Sequence, residues 1–245
     1  MAMKIIKKIT VVGLGIILVA GCAKVKTPEA QLEREQWIAG FSDSVEYYKN
    51  RTEEIDSRLK ELKTRIDKEL ENFEHINNPR EVTGYYLLKG WNKKIPLTST
   101  GIYARLNQNE QIELIATLSG STFNRIGVGT GNSEIYSETV PHDQALNYRH
   151  RLYNTVYFSG GKADTITEYI AKHHSDKITL EFLENSTKKK FIIPEDEKEM
   201  INVTWQLFDL QRQAHVLQKE LWICSRKIDT FRRFQEQEEA KSIKK

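Results

Sequence analysis

From Ile38 onward the apolar residues recur at alternating three- and four-residue steps. Ile38, Val45, Thr52, Leu59, Ile66 and Phe73 form one column and Phe41, Tyr48, Ile55, Leu62, Glu69 and Ile76 the other, apolar except at Thr52 and Glu69. That spacing keeps one stripe on one side of a helix, as in a coiled coil. Charged residues fill the positions between, and Asn77-Asn78-Pro79 supplies a stop. A second run follows Pro194, where Glu195, Asp196 and Glu197 favour the positive end of a helix. Met200, Leu207, Ala214, Leu221 and Ile228 make one column, with Val203, Leu210, Leu217, Cys224 and Phe231 beside them. Between the two runs the pattern changes to short Tyr-, Val-, Ile- and Thr-rich segments separated by Gly, Asn and Ser, such as "QIELIATLSG" and "KITLEFLEN". These predict about eight antiparallel strands, with turns at Asn107-Gln108-Asn109 and Asn185-Ser186-Thr187 and one short helix at 163–173.

The expected fold class is therefore α+β: a long antiparallel helical hairpin, forming a coiled-coil stalk, with an inserted antiparallel β-rich head that carries one short helix. The expected organisation is a signal segment over 1–21, a tether over 22–29, a first stalk helix over 30–78, the head over 79–194, and a second stalk helix with a polar tail over 195–245. Helices of these lengths extend about 70 Å at about 1.5 Å per residue.

The first residues follow another pattern. Lys4, Lys7 and Lys8 precede Ile9 to Ala20, an apolar run broken only by Thr10, and Gly21 and Cys22 follow. A basic head, a short apolar core and a small-residue exit form a secretion signal, and the run is shorter than the roughly 20 apolar residues needed to span a bilayer. Val19-Ala20-Gly21-Cys22 resembles the lipobox of bacterial lipoproteins. The resemblance covers the first 22 residues and implies cleavage between Gly21 and Cys22, with a diacylglycerol thioether on Cys22 and fatty acyl chains such as palmitate holding the protein on a membrane. Ala23, in place of an aspartate, implies the outer rather than the inner membrane. The lack of an acidic stretch in "CAKVKTPE" implies a periplasm-facing attachment.

Removing that segment changes the charge balance. The whole chain has 37 Lys plus Arg against 34 Asp plus Glu, and the three excess cations leave with the signal. A nucleic-acid partner is therefore not expected. With Cys22 lipidated, Cys224 is the only thiol, and its column position predicts a small core side chain.

Candidate chemistry is sparse. Gly127, Gly129 and Gly131 precede a strand-like segment, not the helix that a phosphate loop requires. Adjacent His173 and His174 diverge by about 100° on a helix and cannot share a metal as an i, i+4 pair could. His142, Asp143 and His150 lack a matching nucleophile motif, and Ser119-Gly120-Ser121 lacks the flanking glycines of a nucleophile elbow. Lys188-Lys189-Lys190 reads as a solvated turn. Neither an enzyme nor a bound metal or cofactor is expected. Tyr85, Tyr86, Trp91, Tyr103, Tyr153, Tyr157 and Phe158 could face a sugar or peptide, but strand alternation favours core packing. Phe208, His215 and Trp222 fall seven residues apart, outside the second heptad seam, and mark a possible protein interface. Trp205 and Phe208 are expected to tuck under the head, whereas Trp222 lies about 26 Å along the helix from Trp205. The expected function is a membrane-anchored structural or protein-interaction component of the bacterial envelope, with a protein partner or a second copy bound through the stalk. The alternative is a ligand-capture lipoprotein whose head binds a glycan, peptide or small molecule.

Overall fold

The structure is a computed structural model and describes residues 28–77, 84–131 and 134–243. Gly21 and Cys22 lie outside the described residues. Three helices and ten strands alternate as α1 (Pro28–Leu70), β1 (Phe73–Ile76), β2 (Tyr85–Leu88), β3 (Gly101–Asn107), β4 (Ile112–Ser119), β5 (Arg125–Gly129), β6 (Ile135–Tyr136), β7 (Asn147–His150), β8 (Tyr153–Ser159), α2 (Gly161–Lys172), β9 (Thr179–Glu184), β10 (Thr187–Ile192) and α3 (Glu195–Ile243). The strands form two antiparallel sheets, one ordered β1-β2-β3-β4-β8-β7 and the other β10-β9-β5-β6.

Alternation along the strands places the core. In β4 and β8, Leu114 lies opposite Phe158 and Ala116 opposite Val156, and all four are buried. The second sheet contributes Ile126, Val128, Leu180 and Phe182 to the same cluster, and α2 adds Ala163, Ile166 and Ile170. Phe123 meets Phe182 edge to face, with centroids 4.8 Å apart and planes at 82°. A buried amide network then ties the sheets together. The Phe123 N–H donates to Asn154 Oδ1 at 2.7 Å, Asn154 Nδ2 donates to Asn147 Oδ1 at 2.9 Å, and Asn147 Nδ2 donates to the carbonyls of Phe123 and Val140. Each partner satisfies a polar group that would otherwise be costly to bury.

Local chemistry sets the hairpin turns. Asn185 adopts φ 51° between β9 and β10, as a two-residue hairpin turn requires. In the β3–β4 turn Asn107 Oδ1 accepts from the N–H groups of Asn109 and Gln111, and Glu110 takes φ 58°.

Helix α3 is built into this β body. Strand β2 pairs with β3 only at Tyr85–Asn107 and Tyr86–Leu106, and the start of α3 covers more of that edge. The Ile102 N–H donates to Glu197 Oε2 at 2.9 Å, and the Ala104 N–H points to Met200 Sδ at 3.4 Å. Gly101 permits the approach, since a Cβ there would stand 2.5 Å from Glu197 Oε1. Met200, Ile201, Trp205 and Leu207 complete the core shared with both sheets.

The expected fold class is corrected by this arrangement. The chain is not a helical-hairpin stalk bearing an inserted head: its described residues form three α-helices and ten strands in two antiparallel sheets, and the longest of those helices, toward the C-terminal end, enters the β core. The reason lies in the pattern itself. The columns through Met200, Val203, Leu207 and Leu210 read alike whether their apolar side meets a helix or a sheet. The first helix is also shorter than the heptad implies, because β1 occupies Phe73–Ile76 and pairs with β2 from Phe73–Leu88 to Ile76–Tyr85. "FEHI" alternates as readily as it continues a heptad, and β2 supplies its backbone partners.

Beyond the β core α3 packs against α1. Ile55, Leu59 and Leu62 meet Leu210, Ala214, Leu217 and Cys224, so the thiol is a buried core side chain. Arg51 pairs with Glu220 at 2.6 Å and Arg34 with Glu238 at 3.2 Å, which shows that the helices run in opposite directions.

Glu197 gives the fold a pH dependence. Burial raises its pKa from the ordinary 4.5 to about 7. The folded protein therefore holds this proton more tightly than the unfolded chain. The resulting stability is fully present below pH 4.5 and is lost as pH rises through 7. At about 1.4 kcal/mol per pH unit, the loss has a ceiling of about 3 kcal/mol. Glu197→Gln keeps an acceptor for Ile102 without the charge, so melting temperatures should rise at pH 8 and change little at pH 4.5. An unchanged pH slope in the variant would assign the dependence to another group.

Candidate interaction surface on the outer face of α3

Once Leu210, Ala214, Leu217, Cys224 and Ile228 are turned inward, helical periodicity turns Arg212, His215, Lys219, Trp222 and Arg226 outward. All five are exposed. Trp222 is 61% exposed, and the Arg226 guanidinium sits over its ring at 5.3 Å from the centroid. Val216, 62% exposed, and Ile223 lie seven residues apart on a neighbouring strip of the helix, about 100–120° around from Trp222. Single exposed apolar side chains are ordinary, as Trp37 at 54% and Tyr47 at 63% on α1 show; Trp222 is set apart by its ring size together with the arginine over its face, the pairing that interface anchors favour.

The three residues singled out by the sequence occupy different environments. Phe208 is half-buried, packs on the main core and lies 5.3 Å from the Trp205 ring, while Trp205 is buried. His215 is exposed, with Nε2 2.6 Å from Glu110 Oε2 on the β3–β4 turn. Trp222 stands apart, farther along the helix. Phe208 and His215 share a shallow groove of about 340 Å³ with Glu110, Arg212, Val216 and Lys219. A second groove of about 320 Å³ lies on the α1 side of Arg212 and Val216, against Arg58, Leu62 and Leu217. Arg212 is held by Asp209 at 2.6 Å and covers the Trp205 ring at 5.5 Å. The surface is thus an apolar floor with a charged rim, in which Arg212 and Lys219 stand beside the His215–Glu110 contact.

Elsewhere, the possible chemical groups are bound into the structure. His173 Nδ1 contacts Asp176, and His174 Nδ1 contacts the Ala171 carbonyl. His142 lies 2.5 Å from Glu184, which also accepts from Thr122; these bonds, that of Thr122 foremost, hold the carboxyl below its usual range. Gly127 and Gly129 lie within β5. Trp91, Tyr85 and Tyr103 are buried, and burial raises the Tyr157 hydroxyl pKa. Arg105 packs over the Tyr85 ring at 4.0 Å and pairs with Glu113 at 2.7 Å. These aromatic residues therefore form no open binding face among the described residues. No group of three or more His, Cys, Asp or Glu residues is placed to hold a metal ion there either.

The lysine run is solvated as expected, but it lies on a strand and not in a turn. Lys188, Lys189 and Lys190 belong to strand β10, and Lys188 and Lys190 reach the fully buried Glu181 carboxylate at 2.7 and 3.3 Å. The signal was available in the alternation: Lys190 lies directly opposite Glu181 across the Asn185 hairpin. The His215–Glu110 contact, between residues 105 positions apart, had no local sequence signal.

No described helix is long and apolar enough to cross a membrane. No protein-family model, curated protein or solved structure matches the chain.

Proposed function

We propose that this protein is a lipid-anchored component of the bacterial cell envelope that works by binding another protein through the outer face of α3. The observation that carries the reading is Trp222: a 61% exposed indole with the Arg226 guanidinium over its ring, on the side of α3 turned away from its buried seam. Aromatic residues backed by arginine are the usual anchors of protein interfaces, since they bury large area at small cost in side-chain entropy. The lipobox resemblance at Val19-Ala20-Gly21-Cys22 supports the location, with the chain held through Cys22 on the outer membrane facing the periplasm. Two or more acyl chains suffice for stable attachment. The ligand-capture alternative has less support, because Tyr85, Trp91 and Tyr103 are buried and the two grooves are shallow and open.

The anchoring is tested on protein taken from membranes. Mass spectrometry should find the mature N-terminus at Cys22 with acyl chains attached, and Cys22→Ser should leave the chain unprocessed or soluble after lysis. An unmodified N-terminus downstream of Cys22 would overturn this part of the reading.

A further inference from the structure

We propose that the partner of the α3 surface is a second copy of this chain, docked through the outer face of its α1. This inference rests on the reading of α3 as a protein-contact surface and names the occupant by charge. The outer stripe of α3 carries Arg212, His215, Lys219, Arg226 and Arg233, spaced three, four or seven residues apart around Trp222, with Asp229 the one acid among them, so the stripe is basic on balance. The outer stripe of α1 is acidic on balance: Asp43, Glu46, Glu53 and Glu61 recur with Asn50 and Ser57 between them, and Lys49 and Lys60 lie along its edge. Every one of these side chains is exposed.

The two stripes also lie at the same height. The Arg51–Glu220 pair fixes the register of α1 against α3, placing Glu53 level with Lys219 and Glu46 level with Arg226. Within one chain they point in opposite directions, away from the Ile55–Leu217 seam, and cannot neutralise each other. A sideways displacement brings the basic stripe of one chain onto the acidic stripe of the next with no axial shift. Chains tethered to one membrane through Cys22 share the orientation that this needs. The contact uses two different faces of each copy, so it builds a row or a ring. Surface ion pairs contribute little apiece and are screened by salt, so they set register and partner, while Trp222 supplies apolar burial at the centre.

The test uses the full lipidated chain in detergent micelles, with mass read by light scattering. Wild type should assemble at low ionic strength and dissociate in molar salt. Lys219→Glu with Arg226→Glu should be monomeric, and so should Glu46→Lys with Glu53→Lys; each pairs like charge with like. An equal mixture of the two should reassemble, because every contact in an alternating row then joins opposite charges. All four positions are exposed, so unchanged melting curves serve as the folding control. A monomeric wild type, an assembly that survives either double substitution, or a mixture that stays monomeric would overturn the proposal. If the chain is monomeric yet a photoreactive residue at position 222 crosslinks to a different protein in cells, the second-copy inference falls and the interaction reading stands. If neither contact is found, both fall.

Discussion

Leu59→Asp should release α1 from α3. Leu59 is 5% exposed and packs with Ile55, Leu62, Leu210, Ala214 and Leu217. No cation in that cluster could neutralise an introduced carboxylate. An unpaired charge in such a site costs several kcal/mol, more than an isolated helix recovers on its own. The sheet core lies in a separate cluster and should survive. Far-UV circular dichroism should therefore lose a large part of the helical signal, while near-UV signals from Trp91 and Trp205 persist. Unchanged helicity and melting temperature would mean that the α1–α3 seam contributes little to stability.

Phe182→Ala should destabilise the whole β body. Phe182 is 2% exposed, stacks edge to face on Phe123, and stands where the second sheet meets the segment tied to Asn154 of the first. Truncating a buried phenylalanine leaves a cavity and costs about 3–5 kcal/mol. For a chain of this size that is a fall of roughly 10 °C in melting temperature. Both sheets should respond together, since Phe123 and Asn154 couple them. A loss below about 1 kcal/mol, or loss of the second sheet alone, would contradict a shared core.

Much of the local structure was legible because apolar spacing reports which side of an element is buried. Leu114 and Leu118 alternate as inward strand residues should, and Trp222 was placed on an outer face by its distance from the seam. Spacing does not report what the buried side meets. The same three-four rhythm carries Leu207 into a core with two sheets and Leu217 against α1, so the two halves of α3 could not be told apart. Glu197 shows a second limit. It read as an acid favourable to a helix start, whereas in the fold it is buried and bound to the backbone of Ile102, 95 residues earlier. Lys188 and Lys190 are solvated as they read, but on a strand in place of a turn, where alternation also lets both reach Glu181. In each case the decisive partner is distant in sequence and chosen by sheet order.

The most direct test of the proposed role is a photoreactive residue placed at position 222 in the full-length chain and activated in intact cells, with the exposed Lys177 position as control. A discrete protein adduct is expected from position 222 and none from position 177. Equal labelling at both positions, or no protein adduct at 222, would contradict a protein-binding role for the outer face of α3.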